Sequence, residues 1–543
     1  MSRVGSLVAR AALLALVLAT AGCAYLPDGD PEESRLVCRS DAECAEGQVC
    51  FADGCGDPGQ NIVVEVTPNP KAGLHAQDFV VENLRPQQNL ELFGPATLQG
   101  QVRRETLLST PGSETVAYSS PVSLRVSGES LLIPGVMRRY EANLVPDNGG
   151  YQLAVGSGNF TVTLLAADTQ VPPLVDSRTV EPGNTVPLDF LLPASSALVR
   201  LAGKVVRLES VLVEAELEVQ ALDESLRPLS QRVPVMRGTG EFVLAMSPSA
   251  AKLTHVLVQV TAPRTGELVP QKTFTVDPRP GVTAPLELGD YGEPVAVLGR
   301  LVDRDGKPVV GASVYVQGKV GGGGQFRSRS VLTSAEGRFE LSSLPSHPDT
   351  PLTLYAVPSP TSTAGITRQS IAVPRAGTTL KDIVCEDKVV LQGSLLRPEG
   401  IPAAGARVLA EPVGTVAGRP LPAVGVEADS ATDEDGVYRI RLDPGEYRFD
   451  FIPGENLPRV SRFVTVLPSD MMELAPFTLS KGRRITGLVT LANKELQGPT
   501  AGVPYASVRF FRVVNVEGQP TAVLLTQAVA DSSGSYGATL PTR

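Results

Sequence analysis

Residues 299–316 read GRLVDRDGKPVVGASVYV. Asp305-Gly306 supplies the positive φ that a tight hairpin needs, so the stretch reads as strand, turn, strand. Pro308 falls just after the turn, where its missing N–H costs no central ladder bond. Beyond Gly311, side chains alternate in direction. Ala312, Val314 and Val316 share one face, and Ser313 and Tyr315 share the other. The first face is assigned to a core. Residues 393–410, GSLLRPEGIPAAGARVLA, repeat the design, with Gly400, Pro402 and Gly405 in the same places and Ala406, Val408 and Ala410 facing inward. A third version, GVPYASVRFF at 502–511, puts Ala506, Val508 and Phe510 in phase.

Working outward, the stretch belongs to a long repeat. Starts resembling that at Gly299 occur at Gly100, Gly203, Gly393 and Gly487, spaced by 103, 96, 94 and 94 residues. Each is followed by Gly-x-aromatic: Gly149/Tyr151, Gly240/Phe242, Gly337/Phe339, Gly436/Tyr438 and Gly534/Tyr536. The period is too long for a solenoid, so each copy is expected to be a domain with its own core. The expected boundaries are 60–195 and 198–291 for two divergent units, 294–387 and 388–480 for two regular ones, and 483–543 for a fifth. The regular units end in an apolar strand, as in TLKDIVCED and LAPFTLS. The fifth stops at GSYGATLPTR, where the fourth still has PGEYRFDF and its closing strands to come. An uncovered edge is therefore expected there, with the chain a fragment or a partner covering that edge.

Residues 299–316, followed by Thr-x-x-x-Gly-x-Phe, resemble the carboxypeptidase regulatory-like domain. The similarity is good from Gly299 to about Leu479 and fair from Gly487 onward; before that it rests on the landmarks alone. The resemblance implies an all-β fold of tandem prealbumin-like (transthyretin-like, Ig-like) β-sandwiches, akin to Cna B-type repeats of bacterial surface proteins. It implies an extracellular or periplasmic setting and no peptidase activity.

The bulk composition agrees. The 543 residues exceed one core, and Gly (52) and Pro (46) are abundant while Trp is absent. With 48 Lys+Arg against 58 Asp+Glu, the net charge of -10 argues against a nucleic-acid partner.

The N-terminus reads as an export signal. Arg3 and Arg10 flank the start of an apolar run too short to span a bilayer, so 1–22 reads as a signal peptide. Thr20-Ala21-Gly22-Cys23 resembles a bacterial lipobox, which implies lipidation of Cys23 and a membrane anchor, with Thr20 where Leu is usual. Residues 23–37 read as a linker. Cys38, Cys44, Cys50 and Cys55, spaced C-x5-C-x5-C-x4-C without His, read as two disulfides in a small module at 38–56. First-to-third and second-to-fourth pairing is preferred among the three possible connectivities. Cys385 is expected to be a buried free thiol.

Little in the sequence points to catalysis. His75, His255 and His347 fall in different units, and no nucleophile elbow, HExxH or P-loop is present. The Asp-rich turns at Asp303 and Asp433 lack an oxygen donor at the twelfth position, where Val314 and Pro444 stand. An isopeptide crosslink, as Cna B-type repeats often carry, is not expected, since the first strands offer only Lys204 and the closing strands no Asn. No catalytic, metal-binding or cofactor-binding residue is assigned. The expectation is a non-enzymatic outer-membrane lipoprotein of the cell envelope, facing the periplasm or the cell surface, that serves as spacer, adhesin or assembly scaffold. Its partners would be the membrane and an envelope protein or polysaccharide. The alternatives are a glycan-binding surface protein and an accessory subunit of an envelope protease or export complex, docking through the open fifth unit.

Overall fold

A computed structural model of the chain describes residues 49–51, 54–56, 62–81, 85–106, 114–209, 211–264, 266–279, 285–414, 428–454, 457–479, 481–492, 501–516 and 519–541. The secondary structure among them is β-strand with a few short 3-10 turns. Residues 1–22, read as a signal peptide, and Cys23, Cys38 and Cys44 lie outside the described residues. Of the cysteine module, the backbone of Val49–Phe51 pairs antiparallel with Gly54–Gly56, setting Cys50 opposite Cys55.

The third unit shows the plan. Its first strand, Val295–Val302, pairs antiparallel with Arg338–Ser343 and, on its other side, parallel with Thr378–Thr379 and Ile383–Val384. A second sheet centres on Ser313–Lys319, flanked by Gln325–Arg327 and Val331–Leu332 on one side and by Leu352–Val357 on the other. Thr367–Ile371 forms the outer strand. The core lies between the sheets, as in any two-layer sandwich.

The tight turn of the opening stretch closes as read, with Val302 bridged antiparallel to Pro308 and Val309 N donating to Leu301 O at 3.0 Å, but the strands on either side do not pair beyond it. Val295–Val302 and Ser313–Lys319 lie in different sheets, so the segment between them arches across the core. Gly306 (φ 79°) makes the tight turn, held by Lys307 N–H donating to Asp303 Oδ1 at 2.8 Å. Gly311 (φ 68°) makes a second bend. Thr333 Oγ1 secures that bend by accepting from Ala312 N at 2.9 Å and donating to Val309 O at 2.7 Å. Thr432 does the same for Ala406 and Ala403 in unit four. The strand phase stands as read: Ala312, Val314 and Val316 are all fully buried.

The repeat landmarks are cross-strand partners. Gly100 faces Tyr151, Gly203 faces Phe242, Gly299 faces Phe339, Gly393 faces Tyr438 and Gly487 faces Tyr536. At Gly299, Gly393 and Gly487 the ring lies over the glycine, and a Cβ at Gly299 would sit 2.6 Å from Phe339.

Two expected boundaries need correction. Residues 62–92, placed at the head of a 60–195 unit, belong instead to the last unit, and unit one spans Ala96 to Leu192. The fifth copy, expected to end with an open edge, is completed by those same residues. Ile62–Thr67 pairs with Ser507–Val516 and Gln77–Val81 extends that sheet. Leu90–Leu92 pairs parallel with Gly482–Leu491. These strands take the places that Leu352–Val357, Thr367–Ile371 and Ile383–Val384 hold in unit three. The register confirms the equivalence: Tyr536 OH donates to Gln88 O at 2.6 Å, as Tyr151 OH donates to Leu188 O at 2.5 Å in unit one. Val64, Val66, Leu90 and Leu92 fill one core with Ile485, Val508 and Phe510. The two halves lie at opposite ends of the sequence, which hides their pairing from any reading of local pattern.

Candidate functional site

The composite last unit creates a joint that a linear string of domains would lack. Ile62–Thr67 is apolar at Val63, Val64 and Val66 but carries Glu65, and all four are buried. One face of the strand, with Val64 and Val66, looks into its own sandwich. The other presents Val63 and Glu65 to unit one, where Ile133 packs on Val63 and Phe511.

On that second face the register aligns Arg509, Glu65 and Asp78 in a row across three strands. Adjacent carboxylates repel, and burial makes the repulsion costly. Arg138, from strand Met137–Leu144 of unit one, enters between them. Its Nη2 lies 3.1 Å from Glu65 Oε1 and also pairs with Asp78, while its Nη1 donates to Ser157 Oγ at 3.0 Å and to Ser157 O. Arg509 Nε donates to Glu65 Oε2 at 2.7 Å. Ser130 Oγ donates to Asp78 Oδ2 at 2.5 Å and accepts from Ile133 N at 3.0 Å. Two cations thus meet two anions at the seam, and both carboxylates have hydrogen-bond partners. Burial still pushes the Asp78 carboxyl above its ordinary value, against the opposing pull of Arg138.

The remaining joints use similar means. Between units one and two, Gln231 Nε2 donates to Ala166 O at 2.9 Å and to Val171 O at 2.8 Å. Units two and three share one continuous core running from Val199 to Cys385, and Lys272 Nζ ties Glu287 O to Gly322 O, at 2.8 Å each. Between units three and four, Lys388 Nζ donates to Pro360 O at 2.9 Å and Asp443 Oδ1 accepts from Ile366 N at 2.7 Å. Units four and five face each other across a cleft of about 420 Å³ lined by Leu457, Arg459, Gln527 and Val529. The contacts therefore run in a circuit that returns to its starting unit.

Chemically versatile side chains are engaged in these joints. In the cleft of about 450 Å³ between units three and four, Tyr447 OH donates to Asp443 O at 2.8 Å. Burial there lowers the Lys388 amine and raises the Asp443 carboxyl. In a cleft of about 460 Å³ beside His347, Asp290 and Arg375 pair at 2.5 Å. His255 sits beside the exposed Glu224, and His75 packs edge-on against Tyr140. Asp303 and Asp433 accept backbone N–H groups of their own turns. Cys385 is a fully buried thiol in the shared core of units two and three, and burial pushes its pKa up. No cluster of three or more His, Cys, Asp or Glu that could hold a metal occurs among the described residues.

The residues that build the main joint, Glu65, Asp78, Ser130, Arg138, Ser157 and Arg509, escaped the sequence reading. Its one local trace is a carboxylate inside the apolar run IVVEV.

No family model matches the chain. No curated protein matches it in sequence. Among solved structures, a streptococcal ancillary pilin aligns at 12% identity over 52% of this chain and 99% of its own, with a TM-score of 0.22. A minor pilin of Streptococcus agalactiae aligns at 13% identity over 38% of this chain and 100% of its own, with a TM-score of 0.22. The RrgB pilus protein of Streptococcus pneumoniae aligns at 8% identity over 71% of this chain and 98% of its own, with a TM-score of 0.14. Scores this low carry no argument, and the description as tandem β-sandwiches rests on the strand pairing itself.

Proposed function

We propose that the protein is a non-enzymatic assembly scaffold of the bacterial cell envelope, tethered through a lipid on Cys23. The single observation that favours a scaffold over an extended spacer is the completion of the last unit by residues 62–92, which returns the chain to its own beginning. A spacer gains reach by keeping its first and last domains apart, whereas this arrangement gives up reach for a fixed platform. The engagement of Lys272, Lys388, Asp443 and Arg138 in joints supports a structural reading. So does the resemblance of residues 299–479 to carboxypeptidase regulatory-like domains. A glycan-binding role gains no support from the stacked pair Tyr315/Tyr355, because Arg327 and Arg368 lie over those rings. The test is fractionation of envelopes after crosslinking. The wild-type chain should be membrane-bound and migrate in an assembly heavier than its 57.1 kDa, and Cys23→Ala should release it. A monomer after crosslinking would overturn the scaffold, and a Cys23→Ala protein still on membranes after a high-salt wash would overturn the anchor.

A further inference from the structure

We infer that residues 62–92 are a transferable closing element, and that the partner fitting the strand-lacking face of residues 482–541 is the same segment of a second copy of this chain. The composite unit has no covalent link between its halves except through units one to four. Its completion is thus a binding reaction, written as strand addition on both sheets: Ile62–Thr67 onto Ser507–Val516, and Leu90–Leu92 onto Gly482–Leu491. The donor side is a coherent body. Only residues 93–95 separate the segment from unit one, and the segment is also bonded to that unit by Arg138 through Glu65 and Asp78, and by Ile133 against Val63. The segment and unit one can therefore move together onto another copy's Arg509 and Phe510 with every contact of the seam preserved.

Closed and exchanged forms then contain the same pairings. They differ in whether the joints through units two, three and four bring the two ends to meet. Closure within one chain wins when dilute, because tethering supplies a high effective concentration. Exchange gains as copies become dense, and anchoring to one membrane would make them so. Each copy has one donor and one acceptor, so exchange is head-to-tail or reciprocal, the low-cost route by which identical chains assemble. The inference rests on strand pairing and not on the envelope reading, so either can fail without the other.

The test uses two full-length chains with different affinity tags, one carrying Thr67→Cys and the other Ser507→Cys. Thr67 and Ser507 are cross-strand partners, and antiparallel partners lie within the Cα spacing that a disulfide spans. The chains are mixed, unfolded, refolded together over a range of concentrations and oxidised. The expected result is a peptide linking residues 67 and 507 across the two tags, rising in yield with concentration. A single chain carrying both substitutions should form the link internally at any dilution. Absence of the intermolecular link at every concentration, with the internal link intact, would overturn exchange. Failure of the internal link would overturn the pairing on which exchange depends.

Discussion

Gly299 and Phe339 illustrate how a spacing in the sequence becomes a contact in space. In the last three copies the glycine–aromatic landmark recurs because a ring crossing an adjacent strand needs a position without a Cβ beneath it. That part of the fold was legible early, since both residues sit at fixed offsets within each copy. The inner-face alternation was legible for the same reason, and it yields a sharp comparison. Ala312 is fully buried between the sheets, whereas Ser313 points away from that core. Ala312→Leu forces extra methylenes into a packed core, at about 1–3 kcal/mol. Ser313→Leu should cost about 0.5 kcal/mol or less, as surface changes do. Thermal melting of the whole chain is the measurement. An isolated third unit would confuse it, because that core continues into unit two through Leu286 and Leu288. Equal losses would mean that the strand phase is wrong.

At the scale of the element, Ile62–Thr67 carries information that no alternation rule extracts. A strand buried on one face reads as alternating, but this one is buried on both and reads as an apolar run interrupted by Glu65. The tight turn expected at Asp305-Gly306 forms and bridges Val302 to Pro308, but the pairing stops there for a related reason. Turn residues specify a local bend, yet whether the next strand pairs or crosses to the other sheet is set by Gly311 and the distant Thr333. The ion cluster on Ile62–Thr67 has a pH signature. Asp78 has a raised pKa in the folded protein, so folded chains bind its proton more tightly than unfolded ones. Its contribution to stability is therefore full below the ordinary value of 3.8 and declines as pH rises through the folded value. Arg138→Met removes the cation that opposes this shift and leaves two buried carboxylates side by side. The expected loss is about 3–5 kcal/mol at neutral pH, smaller near pH 4, where Asp78 is more fully protonated. Adding Asp78→Asn should restore much of the neutral-pH loss. Urea unfolding at both pH values checks the sign, and a loss that grows toward acid would contradict the assignment.

At the scale of the molecule, the first and last strands of the described sandwiches share one hydrophobic core. Deleting residues 62–92 should make 482–541 sensitive to protease, although the cut sites lie at the far end of the sequence, and should leave units two and three resistant. Limited proteolysis read by mass spectrometry decides this; resistance throughout would show that the last unit stands without its N-terminal strands. This closure was the least legible feature, because the repeat reveals that strands are missing from the fifth copy but not where they are. The same feature sets an order of events during synthesis. Residues 62–92 leave the ribosome before any part of the sheet they complete exists. At about 5–20 residues per second, on the order of 20–90 s pass before residues 482–541 follow. For that interval the nascent chain exposes strand edges and a run of valines with no native mate, a period of risk for aggregation. A slowed ribosome or a delayed passage across a membrane would lengthen it. The protein's yield in the cell should then depend on how quickly its final sixty or so residues are delivered, and on what shields its first strands until they arrive.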